Sequence, residues 1–106
     1  MDMPEGRPRI LTLSAKESLI LELLVREEKL YGLQLVAMSK RRLKRGTVYV
    51  TLGRMEEKGY ITSWLEGPPP DAGGMPRRLY QPTALGRRVL KVWTGAARRL
   101  MPEFAR

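Results

Sequence analysis

A chain of 106 residues with 20 Lys and Arg against 11 Asp and Glu carries a net charge of +9 and has room for one domain around one small core. It contains neither cysteine nor histidine, which excludes disulfides, thiol chemistry, the usual zinc ligands and any Ser-His or Cys-His catalytic arrangement. A cation excess of this size attracts polyanions, of which DNA and RNA are the commonest in a cytoplasm.

Residues 1–12 read as an arm, with Pro4, Gly6 and Pro8 and little apolar content; Arg7 and Arg9 are able to touch a phosphate backbone, but a frayed terminus is the favoured account. Order begins at Ser14, which caps a helix, with Glu17 three residues on returning the bond as a capping box. Leu19, Ile20, Leu23 and Leu24 then follow helical spacing to about Glu27, and Leu21 lies off that stripe as a hint of a second buried face. After Leu30-Tyr31-Gly32, a second helix of about two turns places Leu33, Val36 and Ala37 on one side. Lys40, Arg41, Arg42, Lys44 and Arg45 follow, with Leu43 alone among them to pin the segment to the core. Five positive charges in six residues repel one another unless a polyanion is near, which favours phosphate contact over a merely solvated connection.

The stretch GTVYVTLGRMEEKG, residues 46–59, points two ways. Its first half alternates and is β-branched, as a strand would be; its second half consists of helix formers stopped by a glycine. A helix puts Val48, Leu52 and Met55 on one face and gives all fourteen residues a place, so a helix is expected. Residues 60–65 read as a strand, the Pro/Gly-rich stretch 67–76 as an irregular tip, and Arg77 to Gln81 as the return strand ended by Pro82. Thr83 offers a cap for a last helix whose stripe is Leu85, Val89, Trp93, Ala96 and Leu100, with Leu90, Ala97 and Met101 alongside and Pro102 marking the end.

Tyr31-Gly32, Gly46-Thr47-Val48-Tyr49, the run from Arg54 to Ile61, Trp64, and Gly74 to Tyr80 with Thr83 and Gly86 together resemble the PadR family of bacterial transcriptional regulators, over about residues 11 to 100. The resemblance implies a mainly α (α+β) winged helix-turn-helix with a two-stranded wing and a C-terminal dimerisation helix. It implies a homodimer that binds double-stranded operator DNA, usually as a repressor. The domain runs over 13–101, with 102–106 a tail; residues 46–58 become the recognition helix and 60–81 the wing.

On that frame Thr47, Val50 and Arg54 form the outward stripe of the recognition helix, flanked by Tyr49 and Gly53. A major groove admits one helix and is read through base edges: Val50 suits a thymine methyl, Arg54 a guanine or phosphate, and Thr47 and Tyr49 phosphates or bases. Tyr49 serves either DNA or packing against its own hairpin. Arg77 and Arg78 at the base of the wing are candidates for minor-groove or phosphate contacts, or a solvated strand end. Leu21, Leu90, Ala97 and Met101 exceed what one winged-helix core needs and are assigned to a dimer interface; the resemblance adds Trp93, which sits on the helix that helps form that interface in the family. Some relatives bind flat hydrophobic effectors between subunits, which adds a small hydrophobic effector as a minor expected partner. No cofactor, metal or enzymatic activity is expected: paired carboxylates, a nucleophile-base set and a phosphate loop are all missing from the sequence. The longest apolar run is too short for a bilayer and no signal peptide precedes it, so a cytoplasmic protein without membrane contact is expected. Two other classes stand beside DNA binding. A basic RNA-binding or ribosome-associated protein would favour aromatics displayed on a sheet, and a winged-helix protein-interaction module leaves the charge cluster without a purpose.

Overall fold

In chain order the elements are α1 (Ala15–Glu27), β1 (Leu30–Tyr31), α2 (Gly32–Met38), α3 (Arg45–Glu57), β2 (Ile61–Glu66), β3 (Arg77–Pro82) and α4 (Ala84–Leu100). They come from a computed structural model that describes residues 13–67 and 76–100, with side chains as far as residue 95. The arm with Arg7 and Arg9, the hairpin tip at 68–75, Met101 and the tail at 102–106 lie outside the described residues, as does the Ala97 side chain.

The capping box predicted for α1 is present. Ser14 Oγ accepts the Glu17 amide N–H at 3.1 Å, and Glu17 Oε1 accepts the Ser14 N–H at 2.9 Å. Ile20, Leu21, Leu23 and Leu24 are all buried. This corrects the expectation for Leu21: its second face is covered inside the protomer and has no surface to give to a dimer. It packs where α4 crosses α1 at Gly86, near enough that a Cβ on Gly86 would lie 3.3 Å from Leu21 Cδ2.

The wing is part of a three-stranded antiparallel sheet in the order β1-β3-β2, one strand more than expected. β2 and β3 pair from Ile61↔Pro82 to Glu66↔Arg77, and the two-residue β1 adds Leu30↔Tyr80 and Tyr31↔Leu79. This strand also resets α2. The helix starts directly from β1 and turns Gly32 and Leu35 inward, so Leu33, at 46% exposure, and Ala37 face solvent, and Val36 is half-buried.

α3 is helical over all of the disputed stretch except its last two residues, Lys58 and Gly59, which form the turn that ends it. Val48, Leu52 and Met55 are buried at 1% exposure or less, and burying three large side chains of that kind, at about 1.5–3 kcal/mol each, outweighs a per-residue propensity deficit of well under 1 kcal/mol. Its end is a Schellman turn: Gly59 N–H donates to Glu56 O and Tyr60 N–H to Met55 O, at 3.0 and 2.9 Å. That turn needs the left-handed backbone glycine provides, and Gly59 has φ +81°. Lys58 Nζ reaches back to Glu17 Oε2 at 2.8 Å, tying the end of α3 to the start of α1. Burial pushes the Glu17 carboxyl up, but the Lys58 hydrogen bond, the Ser14 amide and the Lys58 charge together hold it below the ordinary carboxylate value.

Thr83 caps α4 as expected, its Oγ1 accepting the Gly86 N–H at 3.0 Å and donating to Gly59 O at 2.6 Å. The inward stripe differs from the expected one. Gly86 and Val89 are buried, with Leu90 and Trp93 partly buried against the core, while Leu85 and Val92 are exposed. The reason is backbone approach: α4 lies so close to Tyr60 that a Cβ at Gly86 would collide with the Tyr60 carbonyl oxygen. The helix therefore turns its glycine, and not Leu85, toward that crossing.

Candidate nucleic-acid interface

The turn between α2 and α3 is held from inside so that its charges project outward. Ser39, at 2% exposure, donates from Oγ to Val36 O and accepts the Leu43 N–H, at 2.8 and 2.9 Å. Leu43 is buried as expected. Between these anchors Lys40 and Arg41 take positive φ values of +55° and +72°, a conformation that costs non-glycine residues about 1 kcal/mol or more each. The result is that Lys40, Arg41, Arg42, Lys44 and Arg45 are all exposed at the entrance to α3.

α3 presents four distinct sides. Val48, Leu52 and Met55 face the core; Val50, at 56% exposure, and Gly53 point away from it. The flank toward α1 carries Thr47, Thr51, Arg54 and Lys58. The opposite flank carries Tyr49, whose ring lies against Gly32 of α2, and Glu56, which accepts the Ser63 hydroxyl of β2 at 2.7 Å. Tyr49 is 46% exposed, so its packing is against the start of α2 and it still shows an edge to solvent. Among the described residues nothing lies within 4 Å of a Cβ built at Gly53, which leaves the backbone of α3 open there to a close partner.

The wing arginines are exposed but engaged. Arg78 Nη1 donates to Ser63 Oγ at 3.0 Å, completing a chain from α3 through Glu56 and Ser63 to β3. The Arg77 guanidinium lies 4.1 Å from the centroid of the Tyr31 ring, and Tyr31 donates its hydroxyl to Glu66 Oε1 at 3.1 Å. Arg78 thus links the sheet to α3, while Arg77 packs across the sheet on Tyr31 of β1. Burial pushes the Tyr80 hydroxyl above its ordinary range, Arg78 opposing and Glu56 adding to it. Of the dimer candidates, Leu90 and Trp93 sit half-buried on α4 beside the exposed Val92.

Sequence reasoning missed the seat that Gly32 gives Tyr49 and the Glu17–Lys58 tie. Tyr31-Gly32 was visible as a motif, but its partner lies 17 residues on in another helix, which spacing does not reveal. Among the described residues no helix is long and apolar enough to cross a membrane.

A helix pair joined by a tight turn, the second helix exposed along one side and followed by a β-hairpin, is a DNA-binding winged helix-turn-helix. A family model described as the transcriptional regulator PadR-like family matches residues 20–92, and the chain belongs to that family. No curated protein sequence matches it. Among solved structures it is similar to a PadR family transcription regulator from Clostridium difficile R20291, with 27% identity over 88% of this chain and 100% of that one and a TM-score of 0.70. A PadR family transcriptional regulator from Eggerthella lenta DSM 2243 is 24% identical over 85% of this chain and 81% of that one, with a TM-score of 0.66. Bacillus subtilis PadR, solved in complex with operator DNA, is 22% identical over 77% of this chain and 48% of that one, with a TM-score of 0.67.

Proposed function

We propose that this protein is a sequence-specific, duplex-DNA-binding transcriptional repressor that acts in the cytoplasm as a homodimer, with α3 in the major groove. The observation that carries the reading is the pairing of the anchored basic turn with the outward side of α3. Lys40, Arg41, Arg42, Lys44 and Arg45 supply the sequence-independent attraction to phosphates, while Thr47, Val50 and Arg54 stand where base edges would meet the helix. Tyr49 stays at the edge of that surface, Arg78 sets the wing against α3 through Ser63, and Arg77 and Arg78 offer the wing's contacts to phosphates or the minor groove. The operator complex of Bacillus subtilis PadR makes duplex DNA the favoured partner over RNA.

For the dimer, the support is apolar surface on α4. Val92 is 58% and Leu85 37% exposed, next to half-buried Leu90 and Trp93, and exposed apolar residues grouped on one helix mark an interface. Ala97 and Met101, assigned to the same interface from the sequence, lie outside the described side chains. Two-fold association would set two copies of α3 one helical turn apart, or a multiple of it, along one duplex face.

The test is competition between labelled duplex DNA and unlabelled RNA of the same sequence, with Arg54→Ala measured beside the wild type. Duplex DNA should displace far better than RNA. Arg54→Ala should cost roughly 1–3 kcal/mol on the preferred site if Arg54 reads a base. Equal loss on random DNA would make Arg54 a phosphate contact, and better displacement by RNA would overturn the DNA reading.

A further inference from the structure

Between the start of α1 and the near flank of α3 runs an open groove of about 680 Å3, lined among others by Lys16, Glu17, Thr47, Thr51, Arg54 and Lys58. Three of these side chains are cations and one is an anion. The anion does not face the groove as a free charge: the Glu17 side chain is only 8% exposed, with Lys58 against one oxygen and the Ser14 amide against the other. Lys16 and Arg54 are exposed, and Lys58 remains 44% exposed despite its tie to Glu17. The two threonine hydroxyls make only long bonds to backbone carbonyls of α3's own first turns, at 3.5 Å for Thr47 and 3.4 Å for Thr51. Such bonds are weak, so both hydroxyls are able to turn toward a better acceptor.

A helix is 10–12 Å across with its side chains, and the major groove is about 12 Å wide. A helix seated there has one sugar-phosphate strand against each flank. The far flank of α3 is already covered by α2 and the wing through Tyr49 and Glu56. Among the described residues the near flank has no such cover; it has a basic channel of the right chemistry.

We propose that this groove is a second phosphate-backbone site, in which Lys16 of α1, beside Lys58 at the C-cap of α3, holds one DNA strand while the basic turn engages the backbone at the entrance of that helix. The inference rests on the DNA-binding reading and deepens it by assigning a residue outside the helix-turn-helix, Lys16, to the interface. Glu17 is the positioning residue: by accepting from the Lys58 ammonium at 2.8 Å it holds that side chain along the floor of the channel.

The experiment measures affinity against salt for the full chain on its selected duplex, with wild type, Lys16→Gln and Lys16→Arg. Lys16 is exposed at a helix end, so Lys16→Gln should keep the wild-type thermal midpoint. It should bind roughly tenfold more weakly at low salt and flatten the log-log salt slope by about 0.9, the value of one phosphate contact; Lys16→Arg should restore both. Duplexes carrying a single uncharged methylphosphonate at successive positions locate the contact. One position per half-site should weaken the wild type and leave Lys16→Gln unaffected. If Lys16→Gln keeps the wild-type affinity and slope while neutralising the basic turn reduces both, the groove holds no strand, although the DNA reading stands. If the wild type binds no duplex at all, both fall together.

Discussion

The ring of Tyr49 rests on the backbone of Gly32: a Cβ built at Gly32 would lie 2.5 Å from Tyr49 Cε1 and 2.7 Å from the hydroxyl oxygen. No side chain fits under the ring, so the glycine fixes where Tyr49 stands at the edge of the proposed reading surface. Gly32→Ala should push the ring outward. Because Tyr49 is half in solvent, the stability loss belongs at the low end of the overpacking range, about 1 kcal/mol. In a Tyr49→Ala background that loss should disappear, and operator affinity should fall no further. Urea midpoints and binding curves for the four proteins of this cycle check both statements; a Gly32→Ala penalty that persists without the tyrosine ring would contradict them.

Gly86 and Gly53 make a contrast within one fold. At Gly86 the obstacle to a Cβ is the Tyr60 carbonyl, which is backbone and accepts the Thr83 N–H at 3.0 Å. Gly86→Ala should therefore cost about 3 kcal/mol or more. Gly53 has open space in the same test, and Gly53→Ala should gain up to about 1 kcal/mol in helix propensity. Thermal unfolding of the two variants should shift in opposite directions. Gly53→Ala should nevertheless weaken DNA binding, since it fills the side of α3 left open to a partner.

The basic turn is predicted to trade stability for charge placement. Arg41 holds φ +72°, a value glycine adopts freely. Arg41→Gly should stabilise the fold by about 1 kcal/mol and weaken binding to all duplexes alike, with a shallower salt slope. A denaturant midpoint that falls instead would mean the arginine side chain contributes to the fold.

Acid should loosen the tie between α1 and α3. The Glu17 carboxyl in the folded protein titrates below its ordinary value of 4.5, so its contribution is fully present above about 4.5 and is lost as pH falls through the lower folded value. The difference in urea midpoint between wild type and Glu17→Gln should therefore be constant from neutral pH down to about pH 5 and should shrink below that. A difference that grows on acidification would reverse the sign of the shift.

What was legible in the sequence followed from local chemistry. Ser14 and Glu17 announced the start of α1, Gly59 the end of α3, and Thr83 the cap of α4, because each acts on neighbours within four residues. The spacing of Val48, Leu52 and Met55 was enough to overrule the β-branched run in α3. What was not legible depended on partners far along the chain. β1 exists only because Leu79 and Tyr80 are there to pair with Leu30 and Tyr31, and without it the rotation of α2 was misread. Leu21 was read as surplus because the sequence does not show that α4 lies over it at Gly86. The exposed basic turn and the outward side of α3 were anticipated as candidates; the groove beside Lys16 was not, since α1 had been read only for its core face and its cap.

The central claim, that α3 reads duplex DNA as one of two symmetric copies, is tested most directly by selecting bound duplexes from a random pool and sequencing them. The account predicts an inverted repeat with half-site centres about one helical turn, or a multiple, apart, and a shifted base preference at one position per half-site when Val50 is replaced by Ala. A pool that emerges without an enriched sequence, or enriched in a site without two-fold symmetry and indifferent to Val50, would contradict it.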